Sequence, residues 1–512
     1  MSFKKSGVMI STHLFSIFDS FGSFDSFSNF SSTLSLDIFG PLLFCVAVGW
    51  IFGLLTGMIP GIHVNNIAVI LASTTSFFYA LGLSPILLSA VILSCAISHT
   101  FHNIIPAIFL GAPGEDTVFA VLPGHKLLIA GEGLSAVRLS ALSSAASVFI
   151  STLLLIPAAW LLFRFYPVLL PYMGWILLAL TLIVLLSEIK TSKIVCAAFV
   201  FLTAGFLGLF AFGMDGTLNP VLAVSSASVL MPLLSGLFGV PQLIISLFSD
   251  SKIPDVSETK ETFSKKLFIQ NAFLGTAAGA FVSWIPGVSS SVAAILAGLF
   301  KKNPNDEAES RSNPNSEISM NAEIESKIQI ESETTRAKEF IVIVSAINTA
   351  NAVFGLLAFF VIGKSRNGAV VSIQELLSAA GIDVSGGLFT GGAAGDTVGS
   401  AVGGTVGSAG AIELFILFYA VVVLSAFLSY YSTIKTGKYV PILFKKINYR
   451  VISGFILIFL TVLIYFMCGS FGLILFAAAV LIGFLPVVLH VKKSNLMGVI
   501  LFPVMLYFLG LH

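Results

Sequence analysis

The chain has 512 residues, 56% of them hydrophobic and only 10% charged, with a net charge of +1 and a mean hydropathy of +1.00. A soluble domain carries about 25% charged residues. This composition therefore excludes a cytosolic enzyme, a secreted disulfide scaffold and a disordered protein, and the neutral balance leaves no basic field for nucleic acid. What remains is an all-α polytopic membrane protein. Cys45, Cys95, Cys196 and Cys468 lie in apolar stretches without CxxC spacing, which argues against a disulfide framework and a zinc site. The apolar runs are unbroken rather than alternating, which argues against a β-barrel.

Residues 1–37 form a Ser/Phe-rich tail in which Phe15, Phe18, Phe21, Phe24, Phe27 and Phe30 recur every third residue. That period drifts around a helix and makes no clean face. Beyond the tail, two apolar stretches, 38–80 and 267–300, are interrupted by Pro-Gly. The uninterrupted candidate spans are 85–112, 134–164, 167–188, 192–212, 221–249, 340–363, 411–434, 451–468, 471–490 and 495–511. The segment 301–338 holds 14 of the 51 charged residues and reads as a hydrophilic, disordered insertion.

The second interrupted stretch has Lys252, Lys260, Lys265 and Lys266 before it and Lys301 and Lys302 after it. Both flanks belong in the cytoplasm by the positive-inside rule. Its second arm is too short to cross a hydrocarbon core of about 30 Å. A re-entrant helical hairpin with Pro286 and Gly287 near its tip is expected, the tip being buried in protein or lining a cavity. The first stretch echoes it: Gly49, Gly53, Pro60 and Gly61 match Gly275, Gly279, Pro286 and Gly287 at a constant offset of 226. Each half then reads as a hairpin followed by about five spans, and an odd number of crossings inverts the second copy. Loops rich in Lys support this orientation, although Arg164, Lys364 and Arg366 run against it. The expected organisation is a tail at 1–37, a first membrane repeat at 38–250, a cytoplasmic linker at 251–266 and a second repeat at 267–511 carrying the insertion. Inverted repeats with broken helices near the midplane characterise secondary transporters.

Small polar residues follow each Pro-Gly: His63, Asn65 and Asn66 in the first half, and Ser289, Ser290 and Ser291 in the second. New helix starts of this kind offer free N–H groups to an anion, or they merely satisfy a broken backbone. Ser98, His99, His102 and Asn103 form a polar cluster inside an apolar span, with His99 and His102 on one helix face. Such groups line a cavity, hydrogen-bond between helices or relay protons. A metal site lacks an evident third ligand. Asn348, Thr349 and Asn351 are the corresponding cluster of the second half, suited to backbone-assisted Na⁺ binding or to helix packing. Glu115 and Asp116 follow Gly114, and Asp396 sits in the glycine-rich run 381–410. These carboxylates are candidate coupling-ion ligands or ordinary solvated groups. No HExxH, G-x-S-x-G or Walker A pattern is present.

The G-x3-G-x6-P-G opening of each half, followed by SHTFHNIIPAIFLGAPGEDTVFAVLPGHKLLIAGEG, resembles the large permease subunit of the tripartite tricarboxylate transporter family, and within it the archaeal-type branch. INTANAVFGLLAFFVIGKSRNGA and LNPVLAVSSASVLMPLLSGLFGVPQL fit that branch as well. The resemblance spans nearly all of 38–511. It implies ion-gradient-driven uptake of carboxylates at the cell membrane, with a small membrane subunit and an extracytoplasmic solute-binding protein as partners. His63, Asn65 and Asn66 depart from the tricarboxylate permeases and put citrate itself in doubt. The expectation is a non-enzymatic permease for small organic anions working by alternating access. Membrane lipids surround it, Na⁺ or H⁺ is the coupling ion, no other cofactor is needed, and a homo-oligomer is left open. The alternatives are a channel and an intramembrane enzyme or scaffold.

Overall fold

The computed structural model describes residues 36–59, 64–73, 83–109, 120–186, 191–221, 229–248, 263–286, 321–364, 367–382, 408–446 and 449–511, with isolated positions between them that include Thr117, Val288 and Ser290. Every regular element among the described residues is helical. Seven helices are long and apolar enough to cross a membrane: Phe39–Met58, Pro85–Phe109, Gly133–Leu186, Thr191–Gly213, Ser332–Ile362, Gly410–Tyr439 and Ser453–Leu489.

Both interrupted stretches break where Pro-Gly predicts. Helix α1 (Leu36–Met58) stops before Pro60, and α2 (Val64–Ser73) starts after Gly61. Helix α3 (Pro85–His102) follows, started by the Ser84 hydroxyl accepting from the Leu87 N–H at 3.3 Å, and α4 (Ile104–Phe109) continues it. In the second half, the helix Lys265–Val282 ends in a turn over Ser283–Pro286, with Pro286 buried.

Some expected boundaries shift. After α5 (Val121–Ile129) comes α6 (Gly133–Leu169), which runs through Pro157 and Pro167 and a short 3₁₀ turn into α7 (Met173–Leu186). The spans expected at 134–164 and 167–188 are therefore one helical stretch, because each proline loses one backbone bond without a glycine or loop to turn the chain. Helix α8 is Thr191–Gly213. Of the span expected at 221–249, Leu230–Phe248 is helical, as α9 (Leu230–Leu234), a π turn at Ser235–Gly239 and α10 (Val240–Phe248), and 222–228 lie outside the described residues. With the 265–282 helix as α11, the next helix α12 (Asn321–Ile362) starts inside the segment expected to be disordered. The charged residues 321–338 thus form the stem of a membrane helix. Helices α13 (Gly368–Ala379) and α14 (Ser408–Lys446) follow.

Helix α15 (Tyr449–Leu489) is broken at Gly469, where φ is 71° and ψ −166°. The break falls between the two spans read from sequence. Any side chain there would be strained, and a Cβ would stand 2.1 Å from the Asn219 carbonyl oxygen. The span expected at 495–511 is a 3₁₀ turn at Lys493–Met497 followed by α16 (Gly498–Phe508).

The two halves interlock reciprocally. Helices α1 and α3 pack together, as do α11 and α12. The first pair is covered by α14 of the second half, and the second pair by α6 of the first half. Small residues permit these close approaches. A Cβ on Gly49 or Gly53 would stand 2.3 or 2.4 Å from the carbonyl oxygens of Val91 and Cys95; on Gly275 or Gly279 it would stand 2.5 or 2.6 Å from those of Ile343 and Ile347. The glycine pairs are offset by 226 and their contacts by a constant 252.

Candidate functional site

Polar residues concentrate where α3 meets α12. Within α3, Ser98, His99, Thr100 and His102 are buried, as is Asn103 just after it; on α12, Ser345, Asn348 and Thr349 are buried. Leaving such groups unpaired in an apolar medium is costly, and here they pair across the interface. The Thr100 and Thr349 hydroxyls are 3.3 Å apart. The Asn348 amide donates to Asn103 Oδ1 at 3.3 Å and to the Thr100 carbonyl at 3.5 Å. Farther along α12, Asn351 Nδ2 donates to Ser290 Oγ at 3.3 Å, which brings α12 to the second Pro-Gly break.

His99 and His102, expected on one face, serve different helices. His99 Nδ1 lies 3.0 Å from Thr56 Oγ1 on α1. His102 Nδ1 lies 2.7 Å from the Ser98 carbonyl, which can only accept, so this nitrogen carries the proton. His102 Nε2 then accepts from Ser432 Oγ of α14 at 2.8 Å. Ser432 also accepts from Trp50 Nε1 at 3.1 Å. The Ser432 hydroxyl, between His102 and Trp50, therefore ties α1, α3 and α14 together. Hydroxyls carry the second reciprocal contact. Ser140 meets Ser345 at 2.7 Å, Ser143 donates to the Val342 carbonyl at 2.6 Å, and Thr276 donates to Ser147 at 3.0 Å. Ser425 donates to Ser94 at 2.8 Å in the matching place.

The structure brings Ser290 to Asn351, and Asn103 to Asn348. Ser290 is 1% exposed. Asn65 and Asn66 fall in the first turn of α2. His63, Pro60, Gly61, Gly287, Ser289, Ser291, Glu115, Asp116 and Asp396 lie outside the described residues. Among the described residues no three His, Cys, Asp or Glu side chains converge as a metal site. Thr56, Thr100, Trp50 and Ser432 were not singled out from sequence; the repeat of Ser and Thr at three- and four-residue spacing inside apolar spans is the signal that points to them.

Ion pairs join α12 to α5 and to the start of α6. Lys338, buried on α12, pairs with Glu132 at the start of α6, and Lys126 pairs with Glu333 at 3.1 Å in a solvated setting. At the turn before α16, Glu188 accepts from the Lys492 N–H at 2.8 Å and from Asn495 Nδ2 at 3.3 Å. Burial holds the Lys492 and Lys493 amines below the usual lysine range, and the Glu188 carboxylate offsets part of this at Lys492.

The model of the tripartite tricarboxylate transporter TctA family matches residues 43–498, which takes in α3, α12 and both Pro-Gly breaks. The chain belongs to that family. A curated relative, an uncharacterized protein of Methanocaldococcus jannaschii, is 27% identical over 477 residues, covering 91% of this chain and 99% of its own. No solved structure matches. Membership of the TctA family together with the seven candidate spans makes this a multi-pass membrane protein and a component of a tricarboxylate transporter. It implies a substrate-binding protein and a small subunit as partners. The Ser/Phe tail at 1–37 precedes the matched range, which runs through 301–338.

Proposed function

We propose that this TctA-family protein is a secondary active transporter of small organic anions, carboxylates above all, which moves them by alternating access driven by a Na⁺ or H⁺ gradient. The substrate site in this reading lies between the two Pro-Gly tips. His63, Asn65 and Asn66 serve on one side and Ser289, Ser290 and Ser291 on the other, with Asn348 and Asn351 behind them. The observation that carries the reading is the hydrogen bond from Asn351 to Ser290, which joins a tip to the buried polar seam between α3 and α12.

The halves are, in this reading, inverted repeats. The constant offsets of 226 and 252 in the glycine packing and the reciprocal cover by α14 and α6 support it. So does α2, whose 10 residues span about 15 Å, half a hydrocarbon core. The likeness to the Methanocaldococcus jannaschii relative, over nearly its whole length, supports the archaeal-type branch. His99, His102 and Asn103 are candidates for the coupling ion or proton, as are Glu115, Asp116 and Asp396.

Equilibrium binding to the purified protein tests the substrate class. Di- and tricarboxylates should bind and raise its melting temperature, while amines and neutral sugars should not. Binding of neutral solutes with no response to any carboxylate would refute the class. Cysteine labelling tests the inversion: positions 257 and 312 should label from the same side of the membrane, and labelling from opposite sides would show that 267–300 crosses it.

A further inference from the structure

We infer that Asn351 is a positioning residue whose amide donates to Ser290 so that the Ser290 hydroxyl proton is left for a bound anion. The inference rests on the proposed carboxylate site and deepens it by dividing the work between two of its residues.

A serine hydroxyl has one proton and two acceptor lone pairs. Asn351 Nδ2, 3.3 Å from Ser290 Oγ, uses a lone pair and leaves the proton uncommitted to Asn351. A carboxylate only accepts, so it complements a hydroxyl held this way. Ser290 is almost wholly buried, which favours a hydrogen bond to a charged partner over one to bulk water. Asn351 is well placed to hold it. Two and three residues earlier on the same helix, Thr349 and Asn348 are fastened to α3, so the amide projects from a fixed element.

The first half does not repeat the serine. The glycine contacts register position 290 with 64 and position 351 with 99. Val64 is buried and carries no hydroxyl. At these matching positions the halves share a scaffold but not the Asn–Ser pair.

The test is transport kinetics in proteoliposomes with the carboxylate that the wild-type protein binds best. Asn351→Asp keeps the shape but offers only acceptors, so it takes the Ser290 proton and adds a negative charge. KM should rise by more than about tenfold, the loss of one hydrogen bond to a charged group, with Vmax nearly kept. Ser290→Ala should raise KM, and Ser290→Thr, which retains the hydroxyl, should restore most of it. Asn351→Leu should raise KM in the wild-type background and add nothing in the Ser290→Ala background. Size-exclusion profiles establish that each variant is folded, and Asn351→Ser serves if Leu does not fold. Independent, multiplying effects of Asn351→Leu and Ser290→Ala would overturn the inference while leaving the carboxylate site standing, as would an unchanged KM in Asn351→Asp. A wild-type protein that binds no carboxylate would overturn both.

Discussion

Thr100 and Thr349, 249 residues apart in the chain, meet hydroxyl to hydroxyl at 3.3 Å in the buried seam between the two halves. Thr100 Oγ1 donates to the Ile97 carbonyl at 2.8 Å, so the Thr349 hydroxyl is the one that donates across the seam. Thr100→Val strands the Thr349 hydroxyl, whereas Thr349→Val leaves Thr100 bonded to Ile97, and the double change removes both polar groups with little loss of volume. Interhelical hydrogen bonds in membranes average about 0.6 kcal/mol. Thr100→Val should lower the melting temperature in detergent more than Thr349→Val does, and the double should recover part of the loss. Additive losses would show that the two hydroxyls do not interact.

Glycine packing separates steric need from composition. Gly53→Ala and Gly279→Ala drive a methyl into the Cys95 and Ile347 carbonyl oxygens. Overpacking of this kind costs about 1–3 kcal/mol, so both should reduce the yield of folded protein and its melting temperature. Gly40→Ala on the same helix as Gly53 meets nothing within 4 Å and should be neutral. Gly469→Ala, strained in φ as well as crowded, should be the most damaging of the set.

The two ion pairs should behave differently. Lys338 is 5% exposed, and Lys338→Met leaves the Glu132 carboxylate, in a side chain 22% exposed, without its cation. A loss of about 2 kcal/mol is expected, below the figure for a fully buried pair because water still reaches Glu132. Lys126→Met breaks a pair whose side chains are 60% and 45% exposed and should cost about 0.5 kcal/mol or less. Denaturation curves of both variants, with Glu132→Gln/Lys338→Met as the paired control, check this ordering.

Charge at the tips probes anion recognition. Ser290→Asp and Asn65→Asp each put a carboxylate beside the substrate's own. Like charges about 4 Å apart repel by about 4 kcal/mol at an effective dielectric near 20, roughly a thousandfold in affinity. Ser290→Ala should lose about 1–2 kcal/mol of binding, one hydrogen bond. Ser316→Asp, in the segment between α11 and α12, should leave affinity unchanged. Binding isotherms on membrane-inserted protein measure all four, and equal losses for Ala and Asp at the tips would point to packing rather than charge.

Much of the fold was legible because it follows from local chemistry. The Pro-Gly breaks after α1 and α11 fell where ring and glycine forbid a continuous helix, and the break in α15 fell at a Gly between two apolar runs. What misled was charge read in isolation. The charged residues 321–338 looked like loop, yet they form a helical stem that tertiary pairs such as Lys338 to Glu132 stabilise. The division expected between 164 and 167 is absent too, since α6 runs through it. At the site, the polar clusters were visible as residues out of place in apolar spans. Their partners were not: Thr56, Ser432 and Trp50 matter only because α1 and α14 fold onto α3, and such pairings over hundreds of residues leave no mark on local spacing.

Gradient-driven accumulation tests the transporter reading most directly. Purified protein in sealed proteoliposomes should concentrate a labelled carboxylate above its external level when an inward Na⁺ or H⁺ gradient is imposed. Collapsing that gradient with an ionophore should release the excess. Equilibration to the external level and no further, whatever gradient is imposed, would contradict secondary active transport and identify a passive channel.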